Sequence, residues 1–422
     1  MTSEGIQERI TPTGLRVVTE HIPGFQSVAF GVFFRQGSRD EDERVSGTSH
    51  LIEHMLFKGT RGRSSKEILA EIERLGGISD GFTAKEIMGL TIRCLADTAR
   101  PLLEIIFEML TDSSFDEAEL AKEKEVIYEE MRSAREDPQD TVFDRFFEAC
   151  FSPHSLGRSV LGSQDKLSAI DSRALHDIYR KKYTLADSIM VAVGDVAAED
   201  FISYLPAKIE LENGERKERP SPDFKASAES LVHTRSDISQ VYVVMGTHTS
   251  GLNSEERFAL ALLATLMGGG MSSRLFSLLR EDKGYVYTVS SFLELFEDSG
   301  VTGFYYITEK SKLAKVFAEI EGELKRLLKK GIKTNELETA KTLTKSFLLL
   351  NMENLSHRMM RLGHWKLLSE RFRTIPETIA SFERVTPDDI LAAAEKYLDF
   401  GKFHTSFVGP VSRKDTGSLT RR

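Results

Sequence analysis

GTSHLIEHMLFKGT, residues 47–60, places His50, Glu53 and His54 within five positions of an otherwise apolar run. On a helix of 3.6 residues per turn, positions i, i+3 and i+4 share a face, so the two imidazoles and the carboxylate point the same way. Leu51, Ile52, Met55, Leu56 and Phe57 surround them, and burying such a helix buries three polar groups that need partners. A lone histidine is ordinarily a satisfied core or surface residue. With 10 His in 422 residues, chance gives only roughly 0.02 occurrences of His-x-x-Glu-His per chain. Two imidazoles one turn apart can hold one zinc ion, with Glu53 beside a water at the metal. The order is the reverse of His-Glu-x-x-His, as though the helix met its metal in the opposite direction.

A catalytic zinc takes three protein ligands and keeps one position open, so a third ligand must come from elsewhere. The stretch FDEAELAKEKEVIYEEMRSAR, residues 115–135, offers six glutamates, most of them suited to a solvated helix face. Glu123 and Glu130 lie seven apart on one stripe, two turns along, which puts one at a metal and the other beside its shell. Spacing alone leaves Glu129 and Glu130 as alternatives.

Around these segments the chain reads as one architecture used twice. GLRVVTEHI, SVAFGVFFRQGS, the paired strands of ISDGFTAKEIMGLTIRCL and SIMVAVGDV have strand composition. SSKEILAEIERLGG, DTARPLLEIIFEMLTD, residues 115–135 and TVFDRFFEACF have helical periodicity. Residues 210–227, ELENGERKERPSPDFKAS, are charged, hold two prolines and lack periodic apolar positions, which predicts a linker. Beyond them SQVYVVMGTHTSG, SEERFALALLATLMGG, YTVSSFLEL, VTGFYYIT and KLAKVFAEIEGELKRLLKKG repeat the order. Aligning AELAKEK with NELETAK matches Lys124 to Lys341 and sets Glu130 opposite Phe347; the second copy of the His50 helix has no histidine. The expected fold is α+β, two homologous α/β-sandwich domains: a metal-binding domain over 1–209, a linker over 210–227 and a domain without ligands over 228–422.

Composition bounds the function classes. A net charge of -9 and a sequence pI near 5.7 give no general affinity for nucleic acid or anionic membrane. MTSEGIQERITPTG resembles neither a secretory signal nor a transit peptide, no apolar run reaches about 20 residues, and the expected location is cytoplasmic. Cys94 and Cys150 have no metal or redox spacing and read as buried thiols. GGGM at 268–271 lacks a following Lys-Ser/Thr and reads as a helix break, not a phosphate loop. His154, His248, His357 and His364 share no ligand spacing, and no Gly-x-Ser-x-Gly occurs.

Together GTSHLIEHMLFKGT and EKEVIYEEM resemble the metal segments of the pitrilysin family of inverted-zincin metallopeptidases, which includes mitochondrial processing peptidase and insulin-degrading enzyme. That family's liganding Glu follows about 76 residues after the motif; the same count from His54 reaches Glu130, with Glu123 at the supporting acidic position. SSRLFSLLREDKGYVYTV is similar to the family's Arg-x6-Tyr segment, which makes Arg280 and Tyr287 its substrate-contacting pair. The family's Asn-Ala-x-Thr strand, which pairs with extended substrate, reads DGFT here. Asp80 at that rim is expected to favour basic substrate residues, and Gly81 to leave room for a substrate side chain.

The resemblance, to the short processing-peptidase-like branch, implies a zinc metalloendopeptidase holding one Zn2+ per chain through His50, His54 and Glu130. Glu53 is then the general base on the water, Tyr287 a donor to the oxyanion and Arg280 a grip on a backbone carbonyl. It implies a clamshell with an internal chamber, closed by dimerisation because one chain supplies only one unit. A homodimer is expected, Arg280 and Tyr287 completing the partner's site, with oligopeptides or unstructured segments as substrates. The other class is a non-catalytic or partner-dependent scaffold of the same fold, like the core subunits of respiratory complexes.

Overall fold

The computed structural model describes residues 5–206, 209–224 and 228–420; positions 225–227 of the predicted linker lie outside the described residues. Two compact units interleave along the chain. The first takes the N-terminal stretch to Arg132, Arg158–Pro220 and Leu350–Phe372; the second takes Ser133–Gly157, Ser221–Leu349 and Arg373 onward.

The first unit is built on a six-stranded sheet of β1 (Ile6–Ile10), β2 (Arg16–His21), β3 (Ser27–Phe34), β4 (Ile78–Thr83), β5 (Met88–Leu95) and β6 (Ser188–Gly194), in the order β1-β2-β6-β3-β5-β4. Only β2 and β6 run parallel. β3 is buried almost throughout because both sheet faces are covered. Phe30, Val32 and Phe34 join one core with the helices, while Ala29 and Phe33 join another with the helix Leu355–Leu368. β4 is an edge strand whose outer side pairs with no other strand among the described residues.

The second unit repeats the plan in five strands, β7 (Ser230–Thr234), β8 (Gln240–Ser250), β9 (Val286–Leu295), β10 (Ser299–Glu309) and β11 (His404–Gly409), ordered β7-β11-β8-β10-β9. That order superposes on β2-β6-β3-β5-β4 with the parallel pair in the same place. The duplication extends to side chains. Lys124 donates to the Ile170 carbonyl and Lys341 to that of Glu383, each just ahead of the helix that precedes the last strand of its sheet.

The helices that matter for the site are α1 (Thr48–Leu56), α2 (Ser65–Arg74), α3 (Ala99–Thr111) and α4 (Glu117–Glu136). α2 carries a capping box, Ser64 accepting from the Glu67 amide and Glu67 from that of Ser64. Two features go beyond the sequence expectation. β1 forms within the N-terminal run, and α5 (Pro138–Phe151) starts ahead of TVFDRFFEACF because Asp137 caps it and Pro138 suits its first turn. Cys94 and Cys150 are buried free thiols, and the helix before GGGM ends at Gly268. No described helix is long and apolar enough to cross a membrane.

Candidate metal centre

α1 begins at Gly47, whose φ of 95° is left-handed and costs a glycine little. Its apolar residues Leu51, Ile52, Met55 and Leu56 pack into the core, which turns His50, Glu53 and His54 together toward α4 and the edge strand β4. From α4, Glu130 brings Oε2 to 3.7 Å from His50 Nε2 and 3.9 Å from His54 Nε2. One donor atom from each of the three residues lies within 4.8 Å of the others, the only such His/Cys/Asp/Glu group among the described residues. Two bonds of about 2.0–2.2 Å at the tetrahedral angle set donor atoms roughly 3.4 Å apart, so modest rotamer movement lets all three hold one zinc ion. The donor set of two imidazoles and a carboxylate fits that metal. Burial, then the His54 charge, pushes the His50 imidazole down to about 4, which keeps it in the neutral form that ligates.

The surrounding groups fix orientation. Glu123, buried two turns of α4 before Glu130, lies 3.0 Å from His54 Nδ1 and receives the Lys58 ammonium at 2.8 Å on its other oxygen. A carboxylate on the far ring nitrogen sets the tautomer that leaves Nε2 free for metal. Glu129, left open by spacing, turns outward and pairs with Arg132. Glu53 does not point at the ligands through any hydrogen bond; its Oε2 accepts from the Thr83 hydroxyl at 2.6 Å. Burial raises the Glu53 carboxyl above its ordinary range, the Thr83 bond and the His54 charge pull it down, and Asp80 and Glu130 push it up.

Asp80 is exposed on β4. The space beside Gly81 is not open to substrate: a Cβ there would fall 2.9 Å from Glu53 Cγ, from Glu53 Oε1 and from Phe57. The missing methyl therefore makes room for Glu53, which corrects the expectation that it enlarges a substrate subsite. Arg280 and Tyr287 belong to the second unit. Arg280 leaves the π-helical turn Phe276–Asp282, exposed, with its guanidinium 5.0 Å from the Phe276 ring centre and 6.0 Å from that of Tyr287. Tyr287 is 70% exposed on the edge strand β9.

Sequence reasoning missed Thr83 and Lys58 as partners of Glu53 and Glu123. Thr83 stood within the Asn-Ala-x-Thr segment, and Lys58 lies four residues beyond His54, so spacing held a signal for both.

Residues 16–164 match the insulinase family, peptidase family M16, and residues 169–344 match the peptidase M16 inactive domain. An uncharacterized zinc protease of Mycobacterium leprae is 31% identical over 420 residues, spanning 98% of this chain and 94% of that protein. The uncharacterized zinc protease YmxG of Bacillus subtilis is 32% identical over 383 residues, 91% of this chain and 93% of its own length. A crystal structure of a protease from Helicobacter pylori shares the fold with a TM-score of 0.88 at 22% identity, covering 96% of this chain and 99% of that one. A chain of complex III2 from Candida albicans matches with a TM-score of 0.87 at 18% identity, covering 99% and 100%.

Proposed function

The chain belongs to the insulinase (M16) peptidase family, and from that premise we propose that it is a zinc metalloendopeptidase acting on oligopeptides and unstructured polypeptide segments. The observation that carries this reading is the convergence of His50, His54 and Glu130 with Glu53 one turn of α1 away. His50, His54 and Glu130 are the proposed ligands, and zinc, when bound, supplies Lewis acidity that activates water and polarises the scissile carbonyl. Glu53 takes the proton of the attacking water and passes it to the leaving amine; its raised proton affinity suits both halves of that transfer. Glu123 holds His54 in register. The edge of β4 offers backbone groups to an extended peptide, the form that an unstructured segment can take, and this supports unfolded chains as the substrates. A scaffold of the same fold has no use for this ligand set or for a carboxylate held beside it.

Two copies of the chain are proposed to assemble so that Arg280 and Tyr287 of one copy serve the zinc site of the other. The exposure of both residues, with no ion pair on Arg280 among the described residues, supports their availability. Cleavage of an internally quenched, basic, unstructured peptide, with zinc content assayed alongside, tests the whole reading. Wild type is expected to turn over with one zinc per chain, and Glu53→Gln to keep zinc while losing turnover. Mixing Glu53→Gln with Arg280→Ala then restores about a quarter of wild-type activity in a randomly reassorted dimer, since each mixed dimer holds one intact site. No recovery on mixing overturns the shared site; no zinc in the wild type overturns the peptidase reading.

A further inference from the structure

The N-terminus of α1 lacks a capping side chain of its own, since its N-cap is Gly47. Glu41, six residues upstream, takes that role: Oε2 accepts from the Gly47 amide at 2.7 Å and Oε1 from the Ser49 amide at 2.6 Å. Both oxygens of a buried carboxylate are thus spent on the turn of backbone that leads directly into His50. An acidic group at a helix N-terminus satisfies orphan amides and opposes the helix dipole, and here it does so from within the core.

Glu41 is itself held by a brace. The Glu41 carbonyl accepts from Arg158 at 2.6 Å. The segment before it is stitched to the β4–β5 turn, Ser38 donating to the Ala84 carbonyl and Arg39 to that of Lys85. Arg39 pairs with Glu86 at 2.5 Å, both nearly inaccessible to solvent. Arg219 grips Asp40 with two 2.8 Å hydrogen bonds and also reaches Glu86. Arg39 and Arg35 return the contact by donating to the carbonyls of Pro220 and Lys217. Residues 216–220, read from sequence as part of a linker, are therefore held by largely buried ion pairs against the loop that caps the metal helix. Buried ion pairs contribute little net stability against an apolar alternative, whereas losing one member strands a charge, so the network resists displacement of its parts.

We infer that Glu41 is a positioning residue of the metal centre, setting the first turn of α1 and hence His50, and that Arg219 secures Glu41 through its grip on the neighbouring Asp40. The inference rests on the metal reading above. Replacing Glu41 frees two amides and lets the first turn of α1 fray, which moves His50 while His54 stays held by Glu123, itself paired with Lys58.

The test uses the full chain as wild type, Glu41→Ala, Glu41→Gln and Arg219→Ala. Zinc affinity is read by chelator competition, metal-free Tm by thermal unfolding, and ligand geometry by the visible spectrum of the cobalt-substituted protein. Glu41→Ala is expected to weaken zinc binding about 10- to 100-fold, the range seen when groups behind a ligand are removed, and to shift the cobalt bands. Glu41→Gln, which keeps one acceptor, and Arg219→Ala, which loosens the brace, are expected to fall between that variant and wild type. If Glu41→Ala does not fold, Glu41→Gln and Arg219→Ala carry the same comparison. A lowered metal-free Tm with zinc affinity and cobalt spectrum unchanged would reduce Glu41 to a structural cap and overturn the inference. Failure of the wild type to take up zinc would instead strike the metal reading, and this inference with it.

Discussion

Thr83→Ala removes the side-chain hydrogen bond on the proposed base, together with a longer 3.5 Å contact to the Ser49 carbonyl. The hydroxyl donates to Glu53 Oε2 at 2.6 Å and touches none of His50, His54, Glu123 or Glu130 through a hydrogen bond. A hydrogen bond to a charged group contributes about 1.5–3 kcal/mol. If the transition state feels all of it, kcat falls roughly 10- to 150-fold at about 1.4 kcal/mol per decade. The direction of the pH effect follows from the same contact. The Thr83 bond lowers the Glu53 carboxyl against the burial that raises it, so removing the bond raises it further. The basic form is then lost at higher pH, and the acidic limb of kcat/KM moves up, making the defect larger at pH 6 than at pH 8. The assay is quenched-peptide hydrolysis across that range with zinc measured on the same samples; Thr83→Ser, which keeps the hydroxyl, is the rescue. Turnover within about twofold of wild type at every pH would refute the reasoning, because Glu53 would then owe its placement to something other than the bond seen in the structure.

Two further outcomes follow from the site and its brace. Stripping zinc with a chelator should lower Tm, and restoring free zinc to a thousand times Kd should return about 4 kcal/mol of stability, the linkage expected when metal binds only the folded chain; an unchanged Tm would mean that the ligands do not hold metal in the native state. Burial pushes the Glu41 carboxyl up to about 7 despite its two amide hydrogen bonds, with Lys182 opposing the shift from its own half-buried position. An acid raised on folding contributes stability that is fully present below its unfolded value near 4.5 and is lost as pH rises through 7. In the metal-free protein, wild type should therefore lose about 3 kcal/mol relative to Glu41→Gln between those limits, read by urea unfolding, and parallel pH profiles would contradict it.

The parts of this molecule that were legible in sequence are those where local period and chemistry coincide. His50, Glu53 and His54 could be placed on one face because 3.6-residue spacing and an apolar remainder agree, and β3 because a run of β-branched and aromatic residues bounded by Gly and Ser has few other outcomes. Glu130 was legible only in part: a helix stripe narrowed the third ligand to two neighbours, and the outward pairing of Glu129 with Arg132 is a fact of rotamers that no spacing encodes. Residues 350–372 were harder still, because a helix such as Leu355–Leu368 carries in its sequence the width of its apolar face but not the identity of the sheet it covers.

Gly81 and residues 216–220 show why local composition misleads near a functional site. A glycine in a strand reads as a gap, and only the neighbouring helix reveals that Glu53 fills it. A run of charge and proline reads as linker because arginine and glutamate are seldom buried; here Arg39 and Glu86 are buried and Asp40 and Arg219 half-buried beside them, paired with one another. Such a network is costly to assemble and adds little to net stability, whereas breaking one member leaves a charge stranded in the core. That asymmetry makes the segment intolerant of small displacements, and the displacement it resists is that of Glu41 and the first turn of α1. Residues with no chemistry of their own toward a substrate thereby bear on where His50 points.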